Sequence, residues 1–142
     1  MANFWSLEWM LRHVLYRLEH PPHIQIVPRP LFTADVGDSF PVNALTSYAA
    51  LGGLIDAYNQ TATAPVDRSL VTLRDTLAHG RILCADDVWV NFSLMKFTKP
   101  KNGRVTVETR YELTLDWMYE QIGRVGAALD LTTARYRELG GV

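Results

Sequence analysis

The stretch VWVNFSLMKFTKPKNGRVTVETRYEL, Val88 to Leu113, decides the fold. Val88, Val90, Phe92 and Leu94 stand at alternate positions, and Val105, Val107, Thr109, Tyr111 and Leu113 do so again. That is the period of strands with one covered face. Between the two runs, PKNGR holds the pair Asn102-Gly103. Asn-Gly between alternating apolar runs is the strongest short-range signal for a hairpin turn, because both central residues of a type I′ turn need positive φ. The stretch therefore predicts a β-hairpin.

Helical spacing surrounds it. After the hairpin, Thr114 is placed to cap a last helix in which Leu115, Met118, Ile122, Val125, Leu129, Thr132, Tyr136 and Leu139 recur at threes and fours. Before it, a third helix is expected to start near Asp67, bury Val66, Leu70, Leu73 and Leu77, and end at Gly80. A second helix is predicted from Val42 to Asn59 with Leu45, Tyr48, Leu51, Ile55 and Tyr58 inward. Its Gly52 and Gly53 each cost about 1 kcal/mol against alanine, which predicts a kink or the close approach of another helix. The first helix, Phe4 to Leu18, turns Phe4, Leu7, Leu11, Val14 and Leu18 to one side, and HPPH ends it. The proline-rich and glycine-containing segment after it reads as an ordered loop with a short extended piece at Ile24 to Val27. The expected architecture is mainly α: four helices, with a β-hairpin inserted between the third and the last, in a single domain over 1–142.

With 142 residues the chain is long enough to bury a core without metals or disulfides. No apolar run approaches the roughly 20 residues that cross a bilayer, and the first residues lack the pattern of a secretory signal. Cys84 is the only cysteine, so no internal disulfide forms and the chain suits a reducing cytoplasm. A formal charge of −1 argues against general, charge-driven binding of nucleic acid. The basic residues are nevertheless unevenly placed. All three lysines, Lys96, Lys99 and Lys101, fall in KFTKPK with Arg104 just beyond, which makes a basic hairpin tip able to meet phosphates or to keep the hairpin soluble.

The chemistry-bearing stretch is LRDTLAHGRI, Leu73 to Ile82. At about 100° per residue, Asp75 and His79 lie roughly opposite the apolar side of the third helix, with Arg74 on the flank. Asp75 and His79 are four apart, so the carboxylate is placed to hold one ring nitrogen of the imidazole. The unpaired carbonyls at a helix C-terminus also favour a protonated histidine, and Gly80 lets the backbone turn away from the ring. An accessible histidine moves protons near neutrality and an arginine holds a phosphate. That combination suits phosphodiester chemistry; the alternative is a helix-capping histidine and a surface ion pair.

Arg74 and His79, with four residues between them and Asp75 directly after the arginine, resemble the R-x-x-x-x-H signature of HEPN domains. WSLEWMLRHVL, GGLIDAYN and LMKFTKPKNGRVTVETRYELTLDWMYEQI are likewise similar to small bacterial HEPN-like proteins, so the likeness covers most of the chain. The resemblance implies a four-helix bundle, usually a homodimer, and in many members a metal-independent endoribonuclease, such as the toxin of a toxin and antitoxin pair. Other members are inactive partners or nucleotide-binding proteins. Carried over, Arg74 and His79 are the catalytic pair and Asp75 the polar residue that orients them, where asparagine is common. Two motif copies supply a base and an acid, so a homodimer through the face carrying Arg74, Asp75 and His79 is expected, with RNA as substrate, no cofactor and no metal.

Other candidates carry less chemistry. Trp5, Trp9, Trp89 and Trp117 lie in patterned elements and read as core or interface. His13, His20 and His23 with Asp35 and Asp38 lack metal-ligand spacing and read as surface residues. There is no G-x-S-x-G and no Walker-type phosphate loop.

Overall fold

Helix α1, Ala2–Glu19, forms where the sequence spaces apolar residues by threes and fours, and it buries Phe4, Leu7, Leu11 and Val14 on that face. Leu18, expected on the same face, is exposed beyond the end of the covered stretch. The computed structural model describes residues 2–20, 31, 33–84 and 92–141. The expected extended piece at Ile24 to Val27, the strand residues Val88 and Val90, and Trp89 and His23 lie outside them. The remaining described helices are α2, Leu51–Asn59, α3, Leu70–His79, and α4, Leu115–Glu138. Three antiparallel strands, β1, Arg81–Cys84, β2, Phe92–Phe97, and β3, Val107–Glu112, make one sheet in the order β1-β2-β3. No described helix is long and apolar enough to cross a membrane.

The architecture is thus mixed α and β, four described helices with a small sheet, rather than a helical bundle carrying a two-stranded hairpin. The hairpin itself is present. Leu94 pairs with Tyr111 and Met95 with Arg110, and the turn puts Asn102 at φ 52° and Gly103 at φ 71°, the left-handed values of a type I′ turn. β1 is the added element. Arg81 pairs with Met95 and Ile82 with Leu94, so the four residues directly after α3 fold back as an edge strand on β2.

The second helix is shorter than expected. It starts at Leu51, because Val42 to Ala50 is held in turns by its own side chains. The Asn43 side-chain oxygen accepts from the amides of Leu45 and Thr46, at 2.8 and 3.3 Å, and Thr46 Oγ1 donates to the Pro41 carbonyl at 2.8 Å. Such local bonds compete directly with a helix. Tyr48, expected inward, is fully exposed. One guanidinium holds the whole segment: Arg12 Nη1 donates to the carbonyls of Ala44 and Ser47 at 3.0 and 2.9 Å, and Nη2 to the Ala49 carbonyl at 2.7 Å. Gly52 and Gly53 consequently sit in the first turn of α2 and not in a helix interior, and a side chain at Gly53 meets nothing within 4 Å.

The chain divides into two compact units. One runs from Ser69 to Gly126; the other joins Ala2–Arg68 to Ala127–Val142. In the second, Leu51, Leu54, Ile55 and Tyr58 of α2 are buried together with the α1 face, and Asn59 clasps Val66 through both its amide atoms, at 2.8 and 2.9 Å. His13, expected at the surface, is buried there: its ring lies 3.8 Å from that of Trp9, and its Nδ1 donates to the Trp9 carbonyl at 2.9 Å. Loss of water pushes its pKa below the ordinary histidine value, against a smaller opposing effect of that carbonyl. In the first unit, α3 starts at Leu70, three residues after the expected cap. It buries Leu70, Leu73 and Thr76, whereas Leu77 is exposed. The hydroxyl of Thr76 explains the difference, because it reaches the sheet at Thr109.

Candidate functional site

α3 carries Arg74, Asp75 and His79 on the arc left by its buried Leu70, Leu73 and Thr76. Arg74 and Asp75 meet each other. Arg74 Nη1 donates to Asp75 Oδ1 at 3.1 Å, with both side chains about two-fifths exposed. The bond expected from Asp75 to the imidazole four residues on is replaced by this ion pair. Five residues of helix also rotate His79 by about 140° from Arg74, so the two leave the axis in different directions.

His79 is the last residue of α3, exposed, and bonded to no described residue. What fixes its position is the next residue. Gly80 is extended, with φ −75° and ψ 166°, so its backbone conformation is open to any residue. It is the space that demands glycine: a Cβ there would strike the Thr76 carbonyl and lie 2.8 Å from Leu94 Cδ1 and 3.2 Å from the Met95 carbonyl. The Gly80 amide donates to the same Thr76 carbonyl at 2.7 Å. The absent side chain lets the end of α3 lie directly on β2, and the chain enters β1 at Arg81.

His79 and Arg81 therefore flank the glycine and open on one groove of about 210 Å³, lined also by Phe97, Thr98, Pro100 and Val105 from the two arms of the hairpin. Arg74 and Asp75 are not among its lining residues. The structure brings His79 together with Arg81, a residue that helical spacing from the motif does not single out because it lies in a strand beyond Gly80. The available signal was adjacency: Arg81 follows His79-Gly80 directly.

The four basic residues of the hairpin separate. Lys96 donates to Glu108 Oε1 at 3.2 Å and is mostly covered, so its charge is already met. Lys99, Lys101 and Arg104 are exposed at the tip, where Lys101 and Arg104 exchange backbone bonds of 2.8 and 3.0 Å across the turn. Thr98 and Pro100, the neighbours of Lys99, line the groove, which places the cationic tip at its margin. Trp5 and Trp9, expected in a core or an interface, are exposed on α1, and Trp117 packs on Tyr111 with ring centres 5.2 Å apart. Among the described residues no three His, Cys, Asp or Glu side chains come together as metal ligands.

No model of a protein family, no curated protein and no solved structure matches this chain.

Proposed function

We propose that this protein is a metal-independent endoribonuclease of the HEPN type, a toxin or other defence component acting in the cytoplasm as a homodimer. The observation that carries the reading is the exposed His79, bonded to no described residue and sharing a groove with Arg81 beside a cationic hairpin tip. In this reaction a neutral His79 takes the proton of an RNA 2′-hydroxyl. The 2′-oxygen bonds to the adjacent phosphorus and the bond from phosphorus to the 5′-oxygen breaks. The leaving oxygen takes a proton from the imidazolium of His79 in a second copy, giving a 2′,3′-cyclic phosphate and a 5′-hydroxyl end. Arg74, in the role that the resemblance assigns, meets the charge growing on the phosphate oxygens. Its exposed ion pair with Asp75 is worth about 0–1 kcal/mol, so a phosphate displaces the carboxylate at little cost. Arg81 is a second cation for the same phosphate or its neighbour.

The test is cleavage of RNA by purified protein in EDTA, compared with His79→Ala. Activity in the first and none in the second supports the enzyme; equal activity in both overturns it. The Arg74 to Asp75 pair favours one other reading, a non-catalytic module that binds RNA, a nucleotide or a protein such as an antitoxin, in which that arginine is already neutralised. That reading expects RNA binding without cleavage.

A further inference from the structure

The helices of the Ser69–Gly126 unit pack on one face of its sheet. Thr76 reaches Thr109, the end of α3 lies on Leu94, and Trp117 of α4 stacks on Tyr111. Side chains of paired residues share a face, and faces alternate along each strand. The register therefore turns Leu94, Thr109 and Tyr111 to the helices and sends Arg81, Met95 and Arg110 to the opposite face, as one row across the three strands. The bond from Arg110 Nη2 to Ser93 Oγ, at 3.4 Å, lies on that same face. Both arginines are exposed, and neither meets a carboxylate among the described residues, unlike Arg12, Arg68, Arg74 and Arg135.

The arginine row adjoins the groove of His79. Two residues further along the strands, about 7 Å away, Phe97 pairs with Val107 beyond the bulge, on the same face. Phe97 also lines the groove with His79, Arg81 and Val105. The open face thus presents an apolar seat beside the imidazole and, one row on, two guanidiniums that no carboxylate neutralises. Glu112, opposite Ser93, is the acid of the row after that, so the positive charge of this face is confined to the arginine row.

We propose that an unpaired strand of RNA lies across this face, with phosphates on Arg81 and Arg110 and one base in the groove against Phe97; the proposal rests on the reading of RNA as the ligand. The two arginines stand on strands about 10 Å apart, a gap that long side chains close onto neighbouring phosphates. Phe97, Pro100 and Val105 gain nothing from a phosphate, but they do from the flat face of a base. A duplex keeps its bases stacked inside and offers none to such a groove, and a volume of about 210 Å³ holds one base and not a pair.

Fluorescence anisotropy of labelled oligouridine tests it across a salt series, with the full-length His79→Ala protein so that the probe stays whole. Arg81→Gln and Arg110→Gln in that background should each weaken binding and make the slope of log K against log salt shallower by about 0.7. Arg110→Lys should restore the slope. Phe97→Leu should weaken binding about fivefold or more with the slope unchanged, because stacking releases no counterions. Arg68→Gln, a cation of the other unit, should change neither. Oligoadenosine, which pairs with the probe, should release it. Slopes that are the same in every variant overturn the proposal, as do a probe that stays bound once paired and the absence of any binding. Failure of the ribonuclease reading looks different: the strand binds with these same slopes, and the protein that retains His79 leaves it uncut.

Discussion

Thr76 Oγ1 and Thr109 Oγ1 lie 2.9 Å apart and join α3 to β3. The direction of that bond is fixed by counting hydrogens. Thr76 spends its only hydroxyl hydrogen on the Thr72 carbonyl, 2.8 Å away, so Thr109 is the donor and Thr76 the acceptor. Thr76→Val keeps the shape but leaves the Thr109 hydrogen unmet, and should cost about 1–2 kcal/mol. Thr76→Ser should recover most of it. Urea midpoints measure both.

Gly80→Ala should destabilise by about 1–3 kcal/mol, through overpacking and not through backbone strain. The new methyl meets the Thr76 backbone carbonyl, which the helix holds in place, as well as the end of the Leu94 side chain. Gly103→Val should also lower the melting temperature, for the opposite reason: space is open, but φ is 71°. An unchanged melting temperature in either variant contradicts the corresponding geometry.

Burial of His13 makes stability depend on pH. Its folded pKa lies below the unfolded value of about 6.5, so below that pH the unfolded chain binds more protons. Its contribution is full above about pH 6.5 and is lost as the pH falls from there through the folded pKa. The urea midpoint of the wild type should drop over that window. In His13→Phe this part of the pH dependence should vanish, whatever the variant's absolute stability.

Arg74→Lys should lose much of the cleavage activity with the fold intact, because an ammonium keeps the charge but not the planar, two-pronged donor. His79→Ala should abolish turnover and leave RNA binding nearly unchanged. Asp75→Asn releases Arg74 and should tighten RNA binding by up to about fivefold, the value of an exposed ion pair. Comparison with Arg81→Ala shows which cation the phosphate uses. A 2′-deoxy nucleotide at the cleavage site should block the reaction, and efficient cleavage of an all-DNA substrate would exclude the mechanism.

The legible parts of the fold are those set by neighbours in sequence. The Asn102-Gly103 turn, the end of α3 at Gly80 and the buried faces of α1 and α2 follow from residue type and spacing. β1 does not, since Ile82 and Leu83 are adjacent apolar residues without alternation, and they become a strand only because β2 offers an edge. The start of α2 was obscured because Leu45, Tyr48 and Leu51 keep helical spacing through a segment that Asn43 folds into turns. In α4 the spacing puts Leu115, Met118 and Ile122 in one series with Val125, Thr132 and Tyr136, but only the last three are buried, because spacing is silent on how far along the helix the covered stretch extends. The site divides in the same way. His79 at a helix end was readable; its partnership with Arg81, Phe97 and Val105 depends on strand register.

The hold of Arg12 on the segment after Pro41 ties three of its carbonyls to one side chain, over and above the turns that Asn43 and Thr46 make within it. Ala44, Ser47 and Ala49 contribute carbonyls to a single guanidinium. Their amides should therefore exchange with solvent as one cooperative group, at a free energy well below that of global unfolding. With Arg12→Met the same backbone should become open to proteolysis, while α1 and α2 remain protected.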